Sequence, residues 1–370
     1  MPKDMQKWFC LCQCIRCLEK ARLKWFVMKL KNFMVIEMNI GVIGIGYWGS
    51  KVVREYIDLA REGIINGVGI CDIRKETLEN FKGNENVVKL GTDYKEFLKD
   101  DGIDAVHIAV NNDSHYDVAK EALKNGKHVL IEKPMTTDSS KAYELVELSA
   151  HHGLILQVGH IFRFANVIRK AKEMVNENYF GDIRYFTLKW TTLMQPIKGV
   201  DIIWDLLPHP LDIIHFLTGK WPSKWQVMAR AYRREMPNEL ALINLDYDDL
   251  IANIELSWLT PERKRLIEII GEKRMAKIKC VKQRMRIFEN GNEFDVEIEA
   301  NNTIREEALN FTESIKSQKM PFNSHIIGAK NVDVIEKIMK SICLLFFHQH
   351  IHYFFWMKQK KENFIKGGKV

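Results

Sequence analysis

Between Asn39 and Glu62 the chain reads "NIGVIGIGYWGSKVVREYIDLARE", and this stretch narrows the possible folds more than any other. "NIGVI" has the apolar, β-branched character of a buried strand, and the residues after Tyr47 carry apolar side chains at helical spacing. Their junction is Gly44-Ile45-Gly46-Tyr47-Trp48-Gly49, a G-x-G-x-x-G. At a strand-to-helix turn each glycine has its own duty. Gly44 permits the tight turn, Gly46 lets a pyrophosphate approach the backbone, and Gly49 lets the helix lie close on the strand. The helix start then offers free N–H groups and a favourable dipole to the anion. Tyr47 and Trp48, inside the loop, are read as packing against cofactor or helix.

Such a unit needs a parallel sheet to stand on, and the following residues supply one. "INGVGICD" is a second strand ending at Asp72, 23 residues past Gly49. An acid there accepts hydrogen bonds from ribose hydroxyls and repels a 2′-phosphate, which favours NAD. Arg74 is a cation able to bind that phosphate, so NADP stays an option. Next come "NVVKL", the helix "DYKEFLKD", the strand "DAVHIAV" (Asp104–Val110), the loop "NNDS", the helix "HYDVAKEALKNG" and the strand "KHVLIE". Alternating strands and helices give a doubly wound sheet that binds ligands beyond the carboxyl ends of its strands. The glycine loop, Asn111–His115 and Glu132-Lys133-Pro134 all fall at such ends, so Asn111, His115 and Glu132 are cofactor-site candidates. Lys133 is held extended by the proline after it. It is either a surface lysine at a strand exit or a functional group at the nicotinamide end of the cleft.

At 370 residues the chain exceeds one ordinary core, so two domains are expected. The ends contribute +5 (residues 1–37) and +4 (residues 341–370) to the formal +7, leaving the body at −2. A near-neutral body lacks the clustered cations of a nucleic-acid surface. Four of the seven cysteines form "CLCQCIRC" (Cys10, Cys12, Cys14, Cys17), whose spacing departs from zinc-site pairs, and no metal is expected. Of the other three, only Cys71 and Cys280 lie in the body, which suits a reducing cytoplasm. The first 37 residues are too broken in hydrophobicity for a secretory signal. "ICLLFFHQHIHYFFWM" (Ile342–Met357) has 16 residues including His348, His350 and His352, shorter than a membrane span. Membrane contact is expected, if at all, only through that tail. Residues 1–37 and 342–370 are read as atypical extensions.

The segments "GVIGIGYWG", "CD" at 71–72, "DAVHIAVNNDSHYDVAKEALKNGKHVLIEKPM" (104–135), "VGHIFRF" (158–164) and "WDLLPHPLDI" (204–213) together resemble the Gfo/Idh/MocA family of oxidoreductases. The similarity runs from Met38 to about Ser341, and Glu-Lys-Pro after "GKHVL" is its most specific element. The resemblance implies a Rossmann domain binding NAD(P), a second domain whose open sheet often makes the subunit contact, and a homodimer or homotetramer. It places the catalytic set on Lys133, Asp205 and His209. The loop after "HIA" usually contains proline in that family and here reads Val110-Asn111-Asn112, a departure that bears on fine specificity. "VGHIFRF", "GDIRYF" and "DIIWDLLPHPLDIIHFLTG" are most similar to members acting on sugar-nucleotide rings; polyol and free-sugar dehydrogenases share much of this form.

After Gly159 the chain changes character. "RFANVIRKAKEMVNEN" is helical, and "IRYFTLKWTTL", "WQVMARAYR", "LALINLDYD", "LIANIELSWL", "KRLIEIIGE", "RMAKIKCV", "RMRIFEN" and "EFDVEIEA" read as strands with short loops, hence mainly antiparallel pairing. Within this half, "IIWDLLPHPLDII" sets Asp205 and His209 four residues apart near a helix start that tolerates Pro208 and Pro210. Read alone they are a capping acid and a satisfied histidine; facing a cofactor they are half of an active site. Oxidising a secondary alcohol needs a proton acceptor, and histidine suits that duty. Asp205 is expected to orient the imidazole, and the Lys133 ammonium to stabilise charge on the reacting oxygen. His160 and Trp204 are expected to line the substrate cleft. Arg163 is read as a carboxylate or phosphate ligand, or else as a salt bridge.

The expected architecture is α/β: a doubly wound parallel sheet over 38–159, then an α+β domain with an open, mainly antiparallel sheet over 160–341. The expected activity is NAD(P)-dependent hydride transfer on a sugar or sugar nucleotide. An inositol-type polyol dehydrogenase and a non-catalytic NAD-binding sensor are the alternatives.

Overall fold

The structure is a computed structural model and describes residues 38–195, 200–233 and 238–342. The Cys10–Cys17 cluster and the tail histidines lie outside the described residues.

The first sheet has six parallel strands in the order β3-β2-β1-β4-β5-β6. These are β1 Asn39–Ile43, β2 Gly67–Cys71, β3 Val87–Gly91, β4 Ala105–Ile108, β5 His128–Ile131 and β6 Leu156–Val158. β2, β4 and nearly all of β1 and β5 are buried, as apolar strands covered on both faces must be. Helix α1 (Gly49–Arg61) follows the glycine loop and buries Val52, Val53, Tyr56, Ile57, Leu59 and Ala60 along one face. Two short helices, α2 (Lys75–Glu79) and α3 (Tyr94–Leu98), come next. Helix α4 (Asn112–Lys124) takes in the expected loop "NNDS", because Asn111 is the extended residue (φ −66°, ψ 147°) from which the helix launches. Helix α5 (Ser139–His151) is capped by the Asp138 carboxylate, which accepts from the Ser140 and Lys141 N–H groups. The strand order reverses between β1 and β4, and a ligand crevice opens there.

The second sheet comprises β7 Ile183–Leu193, β8 Lys224–Arg230, β9 Leu240–Asp246, β10 Ile251–Ser257, β11 Leu259–Gly271, β12 Met275–Lys279, β13 Arg284–Glu289 and β14 Asn292–Val296, in the order β14-β13-β12-β11-β7-β10-β9-β8. Its hairpins are antiparallel, and one pair is parallel: β7 (Ile183–Leu193) against β10 (Ile251–Ser257). One face packs on helices α6 (Asn166–Asn176), α7 (Ile202–Leu206) and α8 (Pro208–Thr218), with Trp190, Trp258, Phe186 and Ile267 fully buried between them.

Residues late in the chain return to the first sheet. Helix α9 (Thr303–Ser317) lies along α1, tied by Lys316 Nζ to the Ile64 carbonyl at 2.8 Å and by Arg305 to Glu62 at 2.5 Å. In the helical stretch 325–342, Ala329 and Val332 belong to the core of the first sheet and Val334, Ile335 and Ile338 to that of the second. Among the described residues no helix is long and apolar enough to cross a membrane.

Candidate active site

At the switch point the three glycines differ in what they cannot tolerate. Gly44 has φ +93°, and a Cβ there would sit 2.7 Å from the Ala109 carbonyl. At Gly49 a Cβ would lie 1.9 Å from the Gly44 carbonyl, which backbone cannot yield. Around Gly46 there is open space, the cradle a pyrophosphate requires. These residues fit a dinucleotide. Gly49→Ala is therefore expected to cost about 3 kcal/mol of stability through forced overpacking. Gly46→Ala is expected to unfold like wild type yet lose NADH affinity. Thermal unfolding beside NADH fluorescence titration separates the two, and equal stability of both variants refutes the packing account.

Asp72 is placed at the end of β2, in a pocket of about 850 Å³ that includes Gly44, Gly46, Arg74 and Asn111. Its Oδ2 accepts from the Ile45 N–H at 2.6 Å, and its Oδ1 accepts from the Arg74 N–H at 2.8 Å and from Nε at 3.1 Å. Burial acts to raise this carboxyl, but those bonds hold it below the usual carboxylate range. Asp72 thus fastens the glycine loop, and the Arg74 side chain lies against it.

The opposite end of the crevice is a cleft of about 610 Å³ where Tyr47, Trp48, His115, Glu132, Lys133, Asp205 and His209 meet. Tyr47 is exposed, with its hydroxyl 3.0 Å from Lys51 Nζ. The Trp48 indole N–H donates to Glu132 Oε1, and His107 Nε2 lies 3.2 Å from the same oxygen. Burial alone would raise Glu132; His107, Trp48 and the Lys133 ammonium hold it low. His115 is buried, with Nδ1 2.7 Å from the Pro134 carbonyl and Nε2 3.1 Å from that of Val110. It fastens the loop after β4 to the Lys133-Pro134 segment, and burial keeps its pKa below the ordinary value.

Lys133 Nζ donates to the backbone carbonyl of Asp205 at 2.8 Å and to its Oδ1 at 3.1 Å. Here the structure departs from the expected pairing: Asp205 holds the lysine, and no hydrogen bond joins it to His209. The reason is local. Pro208 and Pro210 have no N–H, so the helical ladder breaks at Leu207 into α7 and α8. The Asp205 carbonyl, which in an unbroken helix would receive the His209 N–H, receives the ammonium instead. His209 packs edge-on to Phe162 with ring centroids 5.0 Å apart, and its buried Nδ1 has no partner among the described residues. Burial first, then the nearby Lys133, His160 and Arg265, push its pKa well below 6.5. That direction favours the neutral imidazole, whose ring nitrogen is able to accept a proton.

On the substrate side two expectations are corrected, His160 and Trp204, and Arg163 takes one of its two stated readings. Arg163 is buried and paired with Asp212, its Nε 2.9 Å from both carboxylate oxygens and its Nη2 2.7 Å from Oδ1. It is a core ion pair, the salt-bridge reading of the two. His160 is buried beside that pair, Nδ1 3.9 Å from Asp212, and is not part of the cleft wall. Trp204 packs between the two cores instead of lining the cleft. Arg163 and His160 are buried, and Trp204 is half-buried against both cores. The sequence reading missed Arg263, Arg265, Cys280, Gln283 and Asn301, which form the far wall. One signal was available: Arg265 shares the alternation of the buried Ile267 and Ile269.

A parallel nucleotide-binding sheet joined to an open sheet, with a lysine, an acid and a neutral histidine at the seam, defines an NAD-dependent oxidoreductase. Residues 38–160 match the model described as "Oxidoreductase family, NAD-binding Rossmann fold", and residues 168–277 match the GFO/IDH/MocA C-terminal domain. The chain belongs to the Gfo/Idh/MocA oxidoreductase family. It is 27% identical over 261 residues to a UDP-N-acetylglucosamine 3-dehydrogenase of Acidithiobacillus ferrooxidans, covering 70% of this chain and 79% of that one. It is 23% identical over 204 residues to an inositol 2-dehydrogenase/D-chiro-inositol 3-dehydrogenase of Lactiplantibacillus plantarum, covering 54% and 58%. A solved structure of the Acidithiobacillus enzyme shares the fold, with TM-score 0.72 at 24% identity over 82% of this chain and 96% of that one.

Proposed function

We propose that the protein moves hydride between NAD and a secondary hydroxyl of a sugar or sugar nucleotide, with Lys133 and His209 as catalytic residues and Asp205 as the residue that positions Lys133. The observation that carries this reading is the meeting of Lys133, held by Asp205, with a half-buried His209 whose pKa is depressed, in one cleft beside the glycine loop. When bound, the nicotinamide supplies the hydride acceptor. His209 takes the hydroxyl proton, which its depressed pKa allows at neutral pH. The Lys133 ammonium donates to the same oxygen and stabilises its growing negative charge. Gly44, Gly46, Gly49, Asp72 and Asn111 hold the dinucleotide, with Tyr47, Trp48, His115 and Glu132 shaping its nicotinamide end.

The same reading divides the chain into a dinucleotide-binding part (38–159) and a substrate part (160–341), flanked by extensions 1–37 and 342–370. Helix α9 then belongs to the substrate part by order but packs along α1, and the stretch after it contributes to both cores. A cytoplasmic homodimer or homotetramer joined through the open sheet is part of the proposal. It is supported by Tyr185 and Ile251, which are paired in register and exposed, and by Met228 beside Leu242 on the same face.

The test is NADH formation with nucleotide sugars, free aldoses and inositols, repeated with NADP. Turnover of nucleotide or free sugars with NAD supports the proposal, turnover of inositols alone favours the polyol reading, and NADH binding without any turnover favours a sensor.

A further inference from the structure

Arg263 and Arg265 line the cleft, and the chemistry assigned above uses neither. Strand β11 (Leu259–Gly271) turns Ile267 and Ile269 into the core, and Arg265 follows the same alternation, so a cation stands at a core-facing position at the cleft end of the strand. The pairing of β11 with β7 is irregular between Leu259 and Lys264, where the strand is free to bend. Arg263 falls inside that irregularity, exposed at the cleft. Arg265 Nη1 donates to the Thr191 carbonyl at 3.0 Å and the Lys264 carbonyl at 2.8 Å, which fixes the guanidinium without neutralising it.

The carboxylates nearby are committed elsewhere. Glu262 pairs with Lys264 at 2.7 Å, Asp205 with Lys133, and Glu132 with His107 and Trp48. Among the described residues no carboxylate forms an ion pair with either arginine. Burial pushes the Arg265 guanidinium down to about 10 and Arg263 adds to the effect, more than the Asp205 carboxylate offsets; this is the direction expected of a buried cation with too little negative charge beside it. Two planar forks at alternate strand positions, about 6.6 Å apart along the backbone, suit one group with several anionic oxygens.

We propose that Arg263 and Arg265 form an anion-recognition pair, and that the substrate carries a phosphate or carboxylate group beside the sugar ring presented to Lys133 and His209. This rests on the oxidoreductase reading above and names the substrate class of the same cleft. Uncharged aldoses and inositols lack the group the pair is built to meet.

The test is calorimetric titration of the full chain, saturated with NADH so that the dinucleotide pocket is filled, with uridine diphosphate, glucuronate and glucose. At least one anion is expected to bind at least tenfold more tightly than glucose, and which one binds tells phosphate from carboxylate. Arg263→Ala and Arg265→Met are each expected to weaken that anion about tenfold to a hundredfold while NADH affinity stays unchanged. Because Arg263 is exposed, its variant remains informative even if Arg265→Met does not fold. Anions binding no better than glucose, or wild-type anion affinity in Arg263→Ala, overturns the proposal. Failure of the wild-type chain to bind NADH overturns the oxidoreductase reading instead.

Discussion

Lys133→Met is expected to lower turnover about a hundredfold to a thousandfold while NADH still binds within a few-fold of wild type. Nζ is the only group of Lys133 in hydrogen-bond contact across the cleft, and methionine keeps most of the apolar stem. On the proposed mechanism, what is lost is a positioned donor at the reacting oxygen, whose removal costs a factor of this size. The change also leaves the Asp205 carboxylate without its partner, so a modest loss of stability accompanies the loss of rate. Single-turnover kinetics with NADH binding measured on the same preparation separates the two effects. A variant turning over within tenfold of wild type removes Lys133 from the chemistry.

His209→Asn is expected to lower turnover about a hundredfold or more, the share usually carried by a positioned general base. The pH profile is the more discriminating readout. Because His209 sits well below 6.5, the wild-type rate of alcohol oxidation should hold as pH falls through 6.5 and decline only at lower pH. That acid limb should vanish in the variant. Stability follows the same sign. Below 6.5 the unfolded chain takes up a proton that the folded His209 refuses, so its contribution is complete above 6.5 and is lost as pH falls toward the folded value. His115, His128, His160, His215 and His325 are displaced the same way, each by burial first. Glu307 and Asp201 are raised by burial and push oppositely, their contribution falling as pH rises. Among the described residues, six histidines against two carboxyls predict a net fall in unfolding midpoint from pH 6.5 to pH 5. An acid limb that persists in His209→Asn assigns the titration to another group.

The corrections share one physical origin. His160 lies in "VGHIF" and Arg163 directly follows it; their sequence allowed a cleft histidine and either a ligand or a salt-bridged arginine, and in the fold both are buried, with Arg163 paired to Asp212, 49 residues further along the chain. Asp205 was assigned to the histidine four residues along, the natural neighbour on a helix. The lysine that claims it comes from position 133, 72 residues earlier in the chain. Local periodicity reports which residues share a face; it does not report what approaches that face from elsewhere.

By itself the sequence determined the parallel sheet, the dinucleotide loop and the presence of a lysine, an acid and a histidine suited to alcohol oxidation. Those follow from period, glycine placement and strand-end position, all properties of short segments. Only the tertiary structure decided that Asp205 holds Lys133, that α9 lies back along α1 while the stretch after it joins both cores, and that Arg263 and Arg265 wall the cleft. Each depends on contacts between distant segments, whose register is set by the packing of two cores and is written in no single stretch of the chain.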